Sequence, residues 1–530
     1  MRLSIQQLLE NKGIEAKSEH LELLKTRWEG MQSLRSNLEA LPLMTRISLF
    51  ATYQEVTILT TDLHLKSVEE LAPLIEHKTL SPVELTKAIL NFAEESQPKI
   101  NSYMAFYHDE ALAHAKEAEK EILNGQYRGM YHGIPMALKD NLYFKDKITT
   151  MSSKIHKDFV SQYDATVVEK LRDAGVIFTG KLSMHEYAWG ITNNNPHYGP
   201  VRNPWDLDKI PGGSSGGSGA AVAAGASVAS LGTDTAGSIR IPSSACGIVG
   251  LKPTHGRVSK YGCYPLAWSL DHIGPMTKTV KDAAGMLEII SGFDHRDPTC
   301  VDVAADNYVQ QLSGNVKDLV IGVNEDYFFN RVDSDVDRAV RASIQSLVDQ
   351  GARVEVVKIP SLQYAEWAEL ITSLSEAAAI HHSDLLKRPQ DFGDDIRLLF
   401  ELGELPSAVD YLQAQQVRRQ IKQEFTQIFN QVDVMITPTL PVVASSIGDD
   451  FAELNGEKVD LIDNIIRFTG PSNLTGLPAL SVPCGFKGNL PIGLQIIGPA
   501  FKEGRILNVG YAIEQTNPMK NRKPNIFANI

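Results

Sequence analysis

Cysteine is scarce in this chain. Four occur in 530 residues, Cys246, Cys263, Cys300 and Cys484, and no two form a CxxC pair. A disulfide framework needs denser cysteine, so reduced thiols in a cytoplasmic protein are expected. An excess of positive charge is also missing, because the formal net charge is -13. Nucleic-acid binders usually present a net basic face, so no nucleic-acid partner is expected. The most apolar stretches, such as Ala220 to Leu231, are too short and too rich in small residues to span a bilayer. Met1-Arg2-Leu3 turns polar without an apolar run, so neither a secretory signal nor a membrane partner is expected. Metal-ligand spacing is absent as well. His185 stands beside Glu186, but no HExxH accompanies them, and no metal or other cofactor is expected. His132, His255 and His272 read as structural or pocket-lining.

What is present is an ordinary globular composition, 43% hydrophobic and 22% charged, long enough for a large core. Residues 1–65 read as a helical N-terminal extension. Leu21, Leu24, Trp28, Met31 and Leu34 step by three or four and line one face. Such a piece serves packing or dimerisation, which leaves a homodimer open. From residue 66 to 530 the texture is that of one catalytic domain. Ser81-Pro82-Val83-Glu84 predicts a helix start with a capping box. Helices are expected over Glu110 to Leu123, Thr166 to Ala174, Ala220 to Ala229 and Asp335 to Gln350. Short apolar runs at Val176 to Phe178, Leu319 to Val323, Val354 to Val356 and Asp433 to Ile436 predict strands between them. Residues 363–430 read as a mostly helical peripheral lobe. This alternation predicts an α/β architecture around a mixed or largely parallel sheet.

The unusual stretch is Pro211-Gly212-Gly213-Ser214-Ser215-Gly216-Gly217-Ser218-Gly219. A flexible linker is one reading, but the Ala/Val helix and the run Leu231 to Arg240 that follow look buried. A phosphate loop is another, but GxxxxGK[ST] does not fit and no lysine follows. The third reading is a nucleophilic site. Serine needs a base, and a buried neutral lysine can serve. Lys139, at the end of the apolar Gly133 to Leu138, is the best candidate. On pattern alone these readings stay open.

These residues resemble the amidase signature family over about residues 66–510. The most specific block runs from Gly212 to Ser238 and on through Ile239-Arg240-Ile241-Pro242-Ser243 to Gly250-Leu251-Lys252-Pro253-Thr254. Gly133 to Asp140, Thr437-Pro438-Thr439, Asn473-Leu474-Thr475-Gly476-Leu477-Pro478-Ala479 and Pro491-Ile492-Gly493-Leu494-Gln495 match too. The resemblance implies a mixed twisted central β-sheet covered by helices on both faces. It implies Lys139 as base, Ser214 as bridging serine on a cis peptide bond and Ser238 as nucleophile, at the separations the family shows. It further implies an oxyanion hole from the N–H groups of Thr235, Ala236, Gly237 and Ser238, with Ser215, Asp234 and Arg240 in support. Ala236 departs from the glycine common in relatives, so the loop must accommodate a methyl group.

The implied activity is hydrolysis of a carboxamide C–N bond through a seryl acyl-enzyme, with activity rising toward alkaline pH as the lysine loses its proton. The leading expectation is a stand-alone amidase acting on a small-molecule amide. One alternative is the A subunit of a glutamyl-tRNA(Gln) amidotransferase, a glutaminase that passes ammonia to a partner. Another is a urea-type hydrolase acting on allophanate or biuret derivatives. The N-terminal extension, and a helical lobe without a Tyr- and Arg-rich pattern, favour the stand-alone enzyme.

Overall fold

The computed structural model describes residues 60–449, 451–518, 522–524 and 526. The expectations for residues 1–59 lie outside them. The chain is an α/β protein built on one mixed, twisted sheet of eleven strands with helices on both faces. In chain order the strands are β1 (Tyr103–Phe106), β2 (Pro135–Lys139), β3 (Ile177–Leu182), β4 (Ser230–Asp234), β5 (Val249–Lys252) and β6 (His272–Thr277). They continue as β7 (Val320–Val323), β8 (Arg353–Val356), β9 (Val434–Pro438), β10 (Ala479–Lys487) and β11 (Leu490–Ile497). Across the sheet they lie β1-β3-β2-β4-β6-β5-β10-β11-β9-β7-β8.

The register places the candidate site. β2 runs parallel to both β3 and β4, with Ala137 opposite Ser230 and Leu138 opposite Leu231. Their C-terminal ends therefore emerge side by side, Lys139 on one and Asp234 on the other. In α/β sheets the crevice beyond the carboxyl ends of parallel strands is the usual place for ligands. Every residue of β2 and of β4 is buried, as expected of strands covered on both faces.

Most expected elements lie within a residue or two of their places. The second expected helix spans His108–Leu123, the third Thr166–Asp173, and the helix after β7 Ser334–Asp349. The 363–430 region folds mainly into Ala365–Lys387, Asp394–Gly403 and Ala408–Ile428. Two local expectations need correction. Ser81 caps the Pro82–Ile100 helix by accepting from the N–H groups of Val83 and Glu84, but Glu84 does not complete a box. The Ser81 hydroxyl donates to Glu119 instead. Reciprocal capping boxes form instead one helix earlier, between Ser67 and Glu70, and at the start of Ala408–Ile428, between Ser407 and Asp410. The small-residue helix is Gly216–Ala224, not Ala220 to Ala229. It starts inside the Gly/Ser run, because those glycines pack rather than flex, and it ends at Gly225 in the left-handed conformation.

Gly217 shows how tightly this helix is seated. Its N–H donates to Ser183 O at 3.0 Å. A Cβ there would lie 2.2 Å from Ser183 O and 2.8 Å from Ser102 O, both rigid backbone. Overpacking of this kind costs about 1–3 kcal/mol. Gly217→Ala is expected to lower the urea unfolding midpoint accordingly, and an unchanged midpoint would show that the helix can move off its neighbours.

Candidate active site

The ends of β2 and β4 and the start of the Gly216–Ala224 helix bring Lys139, Ser214 and Ser238 into one region. Lys139 is 0% exposed. Its Nζ lies 2.8 Å from Ser214 Oγ and 2.7 Å from Thr233 Oγ1. Thr233 also accepts from Asn141 Nδ2 at 3.2 Å. Burial penalises the ammonium form, and the more distant Cys263, Asp234 and Asp271 only partly offset it. The Lys139 pKa is lowered to about 7. The Gly213–Ser214 peptide bond is cis, and Ser214 O accepts from His185 N at 3.0 Å.

Ser238 lies on the loop between β4 and the Arg240–Cys246 helix and keeps 9% exposure. Its carbonyl accepts from Ser215 N at 3.3 Å, which ties the loop to the Ser214 segment. No hydrogen bond joins the Ser214 and Ser238 hydroxyls, so the one side-chain link closed within this trio is Lys139 to Ser214. Ser215 pins the segment to β4. Its hydroxyl donates to Thr233 O at 3.2 Å and accepts from Thr233 N at 3.3 Å.

Among the described residues, the N–H groups of Thr235, Ala236, Gly237 and Ser238 meet no acceptor. Four consecutive unpaired donors beside a serine form a turn able to receive an oxyanion. The turn is held from several sides. The Thr235 hydroxyl donates to Asp271 at 2.6 Å, and the Thr469 hydroxyl donates to Ala236 O. Gly237 has φ +139°, and a Cβ there would fall 2.3 Å from Thr469 Oγ1, so only glycine fits. Ala236 is not among the positive-φ residues and is half-exposed; its methyl group is accommodated without backbone conflict.

Asp234 and Arg240 form the buried centre of this arrangement. Arg240 reaches Asp234 through Nε at 3.0 Å and Nη2 at 2.9 Å. It also donates to Thr469 O at 2.9 Å, Ser472 Oγ at 2.6 Å, Asn473 Oδ1 at 2.6 Å and Gln495 Oε1. Asp234 further accepts from Ile239 N at 3.1 Å and Asn473 Nδ2 at 2.8 Å. Burial alone would raise its pKa, but the charge and hydrogen bonds of Arg240 outweigh burial and hold it at about 2. The Asn473 and Gln495 blocks, conspicuous in the sequence but without assigned roles, thus converge on one guanidinium.

Thr233, Asn141, Asp271 and Thr469 were not singled out from sequence. Thr233 was legible only as the residue before Asp234, and Asn141 as the second after Lys139. Thr469 and Asp271 come from segments far from the loop they hold. His185 and Glu186 are taken up by hydrogen bonds to neighbouring segments. His185 accepts from Asn193 N at 3.1 Å and pairs with Asp395 at 3.0 Å, while Glu186 accepts from Ser153 and Gly393.

Comparison with known proteins bears on the family. The Amidase family model matches residues 84–507. The A subunit of glutamyl-tRNA(Gln) amidotransferase from Carboxydothermus hydrogenoformans is 39% identical over 489 residues, which is 88% of this chain and 100% of that protein. Its counterpart from Halothermothrix orenii is 40% identical over 87% of this chain and 99% of its own. Among solved structures, a chain described in connection with a vestigial protein complex and the origins of an s-triazine catabolic enzyme superposes with a TM-score of 0.82. It is 33% identical over 85% of this chain and 98% of its own. With a matched model across most of its length and curated relatives near 40% identity, this chain belongs to the amidase family.

Proposed function

We propose that the chain hydrolyses the carboxamide of glutamine, or of a close amino-acid amide, as the catalytic A-type subunit of an amidotransferase. The observation that carries the amide chemistry is the buried Lys139–Ser214 contact beside a serine loop whose four N–H groups meet no acceptor among the described residues. The substrate assignment is supported by the near full-length match to amidotransferase A subunits. That match weighs more than the features that favoured a stand-alone enzyme, since it spans 88% of this chain and 100% of the relative. A second reading, a stand-alone hydrolase of urea-type amides, draws support from the TM-score of 0.82 to the s-triazine-related chain.

The proposed reaction follows from where protons can go. A neutral lysine has two N–H groups and one lone pair. Thr233 Oγ1 takes one N–H, which leaves the lone pair to face the Ser214 hydroxyl. Lys139 accepts the Ser214 proton, Ser214 accepts that of Ser238, and Ser238 Oγ attacks the amide carbon. The hydroxyl-to-hydroxyl link tightens as substrate enters, as catalytic hydrogen bonds often do. The carbonyl oxygen, now an oxyanion, falls among the N–H groups of residues 235–238. Each such donor is worth about 3–4 kcal/mol of barrier. The proton returns through Ser214 to the leaving nitrogen, ammonia departs, and water repeats the sequence on the acyl-enzyme. Ser215, Asp234 and Arg240 keep the loop in register.

Lys139 acts only when neutral. Its pKa is lowered to about 7, so kcat/KM is expected to fall about tenfold per pH unit below that value and to level off above it. A profile flat from pH 5 to 9 would remove Lys139 as the base. Ser238→Ala and Lys139→Met are each expected to lower kcat by roughly 10⁴-fold or more, and full activity in either variant would overturn the mechanism. A substrate panel separates the two readings. Ammonia release from L-glutamine, alone or stimulated by amidotransferase partner subunits, supports the subunit. Turnover of biuret-type compounds with none of glutamine supports the other reading.

A further inference from the structure

The Ala365–Lys387 helix buries a polar stripe. Glu369, Thr372, Ser373 and Glu376 are all buried, and their spacing of three and four places them on one face. Three of the four are satisfied. Glu376 accepts from Ser269 N at 3.0 Å, Ser269 Oγ at 2.7 Å and Tyr411 Oη at 2.9 Å. Thr372 donates to Ala368 O at 2.7 Å and accepts from Gln415 Nε2 at 3.0 Å. Ser373 donates to Glu369 Oε1 at 2.6 Å.

Among the described residues, that bond is the only one the Glu369 side chain has. The residue is 4% exposed, no cation pairs with it among the described residues, and Oε2 has no partner. Oε2 is not sealed by protein either, being absent from the fully enclosed unpaired atoms. Burial raises the Glu369 pKa to about 7. As a carboxylate it has no counter-charge among the described residues. The buried setting of the group, together with the accessible surface of Oε2, leaves room for one more donor arriving from outside.

Its location says what that donor belongs to. A Cβ on Gly470 would lie 3.5 Å from Glu369 Cγ. Gly470 follows Thr469, whose hydroxyl holds Ala236 O in the loop that carries Ser238. The carboxyl group therefore stands one glycine away from the residue that fastens the acyl-accepting turn. That sets the carboxyl group close to the turn that carries Ser238 but not on it.

We propose that Glu369 is a specificity-determining residue that receives an amino group borne by the carboxamide substrate, remote from the scissile C–N bond. The proposal rests on the amide-hydrolase reading above. No bond to Glu369 forms or breaks in the reaction; it acts through binding.

The test compares L-glutamine with its des-amino analogue, 4-carbamoylbutanoate, in the wild type and in Glu369→Gln. The readout is the ratio of kcat/KM values for the two amides. A charged hydrogen bond at a buried site gives roughly a tenfold preference or more. The wild type is expected to prefer glutamine by that factor, and the ratio is expected to collapse toward one in Glu369→Gln, through KM. The same comparison, read as calorimetric binding to Ser238→Ala and to the Ser238→Ala, Glu369→Gln double variant, applies even if turnover is slow. Equal ratios in the two proteins, or a wild type indifferent to the amino group, would overturn the proposal. Hydrolysis of amides without amine preference sinks this inference alone, whereas the absence of any Ser238-dependent amide hydrolysis sinks the functional reading itself.

Discussion

Arg240 is the point at which separate parts of the chain are made to agree. Its guanidinium is buried, and it satisfies Asp234 at the end of β4, Gln495 on β11, and Thr469, Ser472 and Asn473 around the short Gly470–Thr475 helix. Removing one partner from a buried, hydrogen-bonded pair costs about 3–5 kcal/mol, because the other charge is stranded. Any shift of β11 or of the 469–473 segment would break several of these bonds together. The loop bearing Ser238 springs from Asp234 and returns at Arg240. Its shape is therefore set by that network rather than by its own short sequence.

Lys139 illustrates the opposite use of burial. Arg240 is met by Asp234 and four other oxygen acceptors, whereas Lys139 meets only two hydroxyl groups and no carboxylate in contact. Desolvation then favours the neutral amine. Two buried cations on neighbouring elements thus differ in what the surrounding side chains provide. One anchors the loop, and the other has the protonation chemistry of a base near neutral pH.

The helical lobe is where family membership says least and side chains say most. Its Ala365–Lys387 and Ala408–Ile428 helices pack on one another and on the Gly470–Thr475 helix, the element next to the turn that carries Ser238. Most of the buried polar groups on that face are matched. Arg418 spends its donors on Leu474 O, Ser269 O and Ser269 Oγ, and Glu376 completes the ring through Ser269 and Tyr411. An unmatched carboxyl group stands out against so complete a network.

Much of the frame could be read directly from the residues. Alternating apolar runs and amphipathic segments placed the strands and helices of an α/β sheet, since their periods of 2 and 3.6 are local properties. The Gly/Ser run, Lys139 and Ser238 drew notice for the same reason, and the amidase resemblance supplied their roles as expectations. Local pattern misplaced the Gly216–Ala224 helix, because glycine reads as flexible until its neighbours are known to be 2–3 Å from where a side chain would begin. It also passed over Thr233, Asp271, Thr469 and Glu369. Hydrogen-bond partners, desolvation and the lack of a counter-charge arise only when residues hundreds of positions apart are packed together. For that reason the fold class belonged to the sequence, while the burial of Lys139, the anchoring of the Ser238 loop and the setting of Glu369 were decided only by tertiary structure.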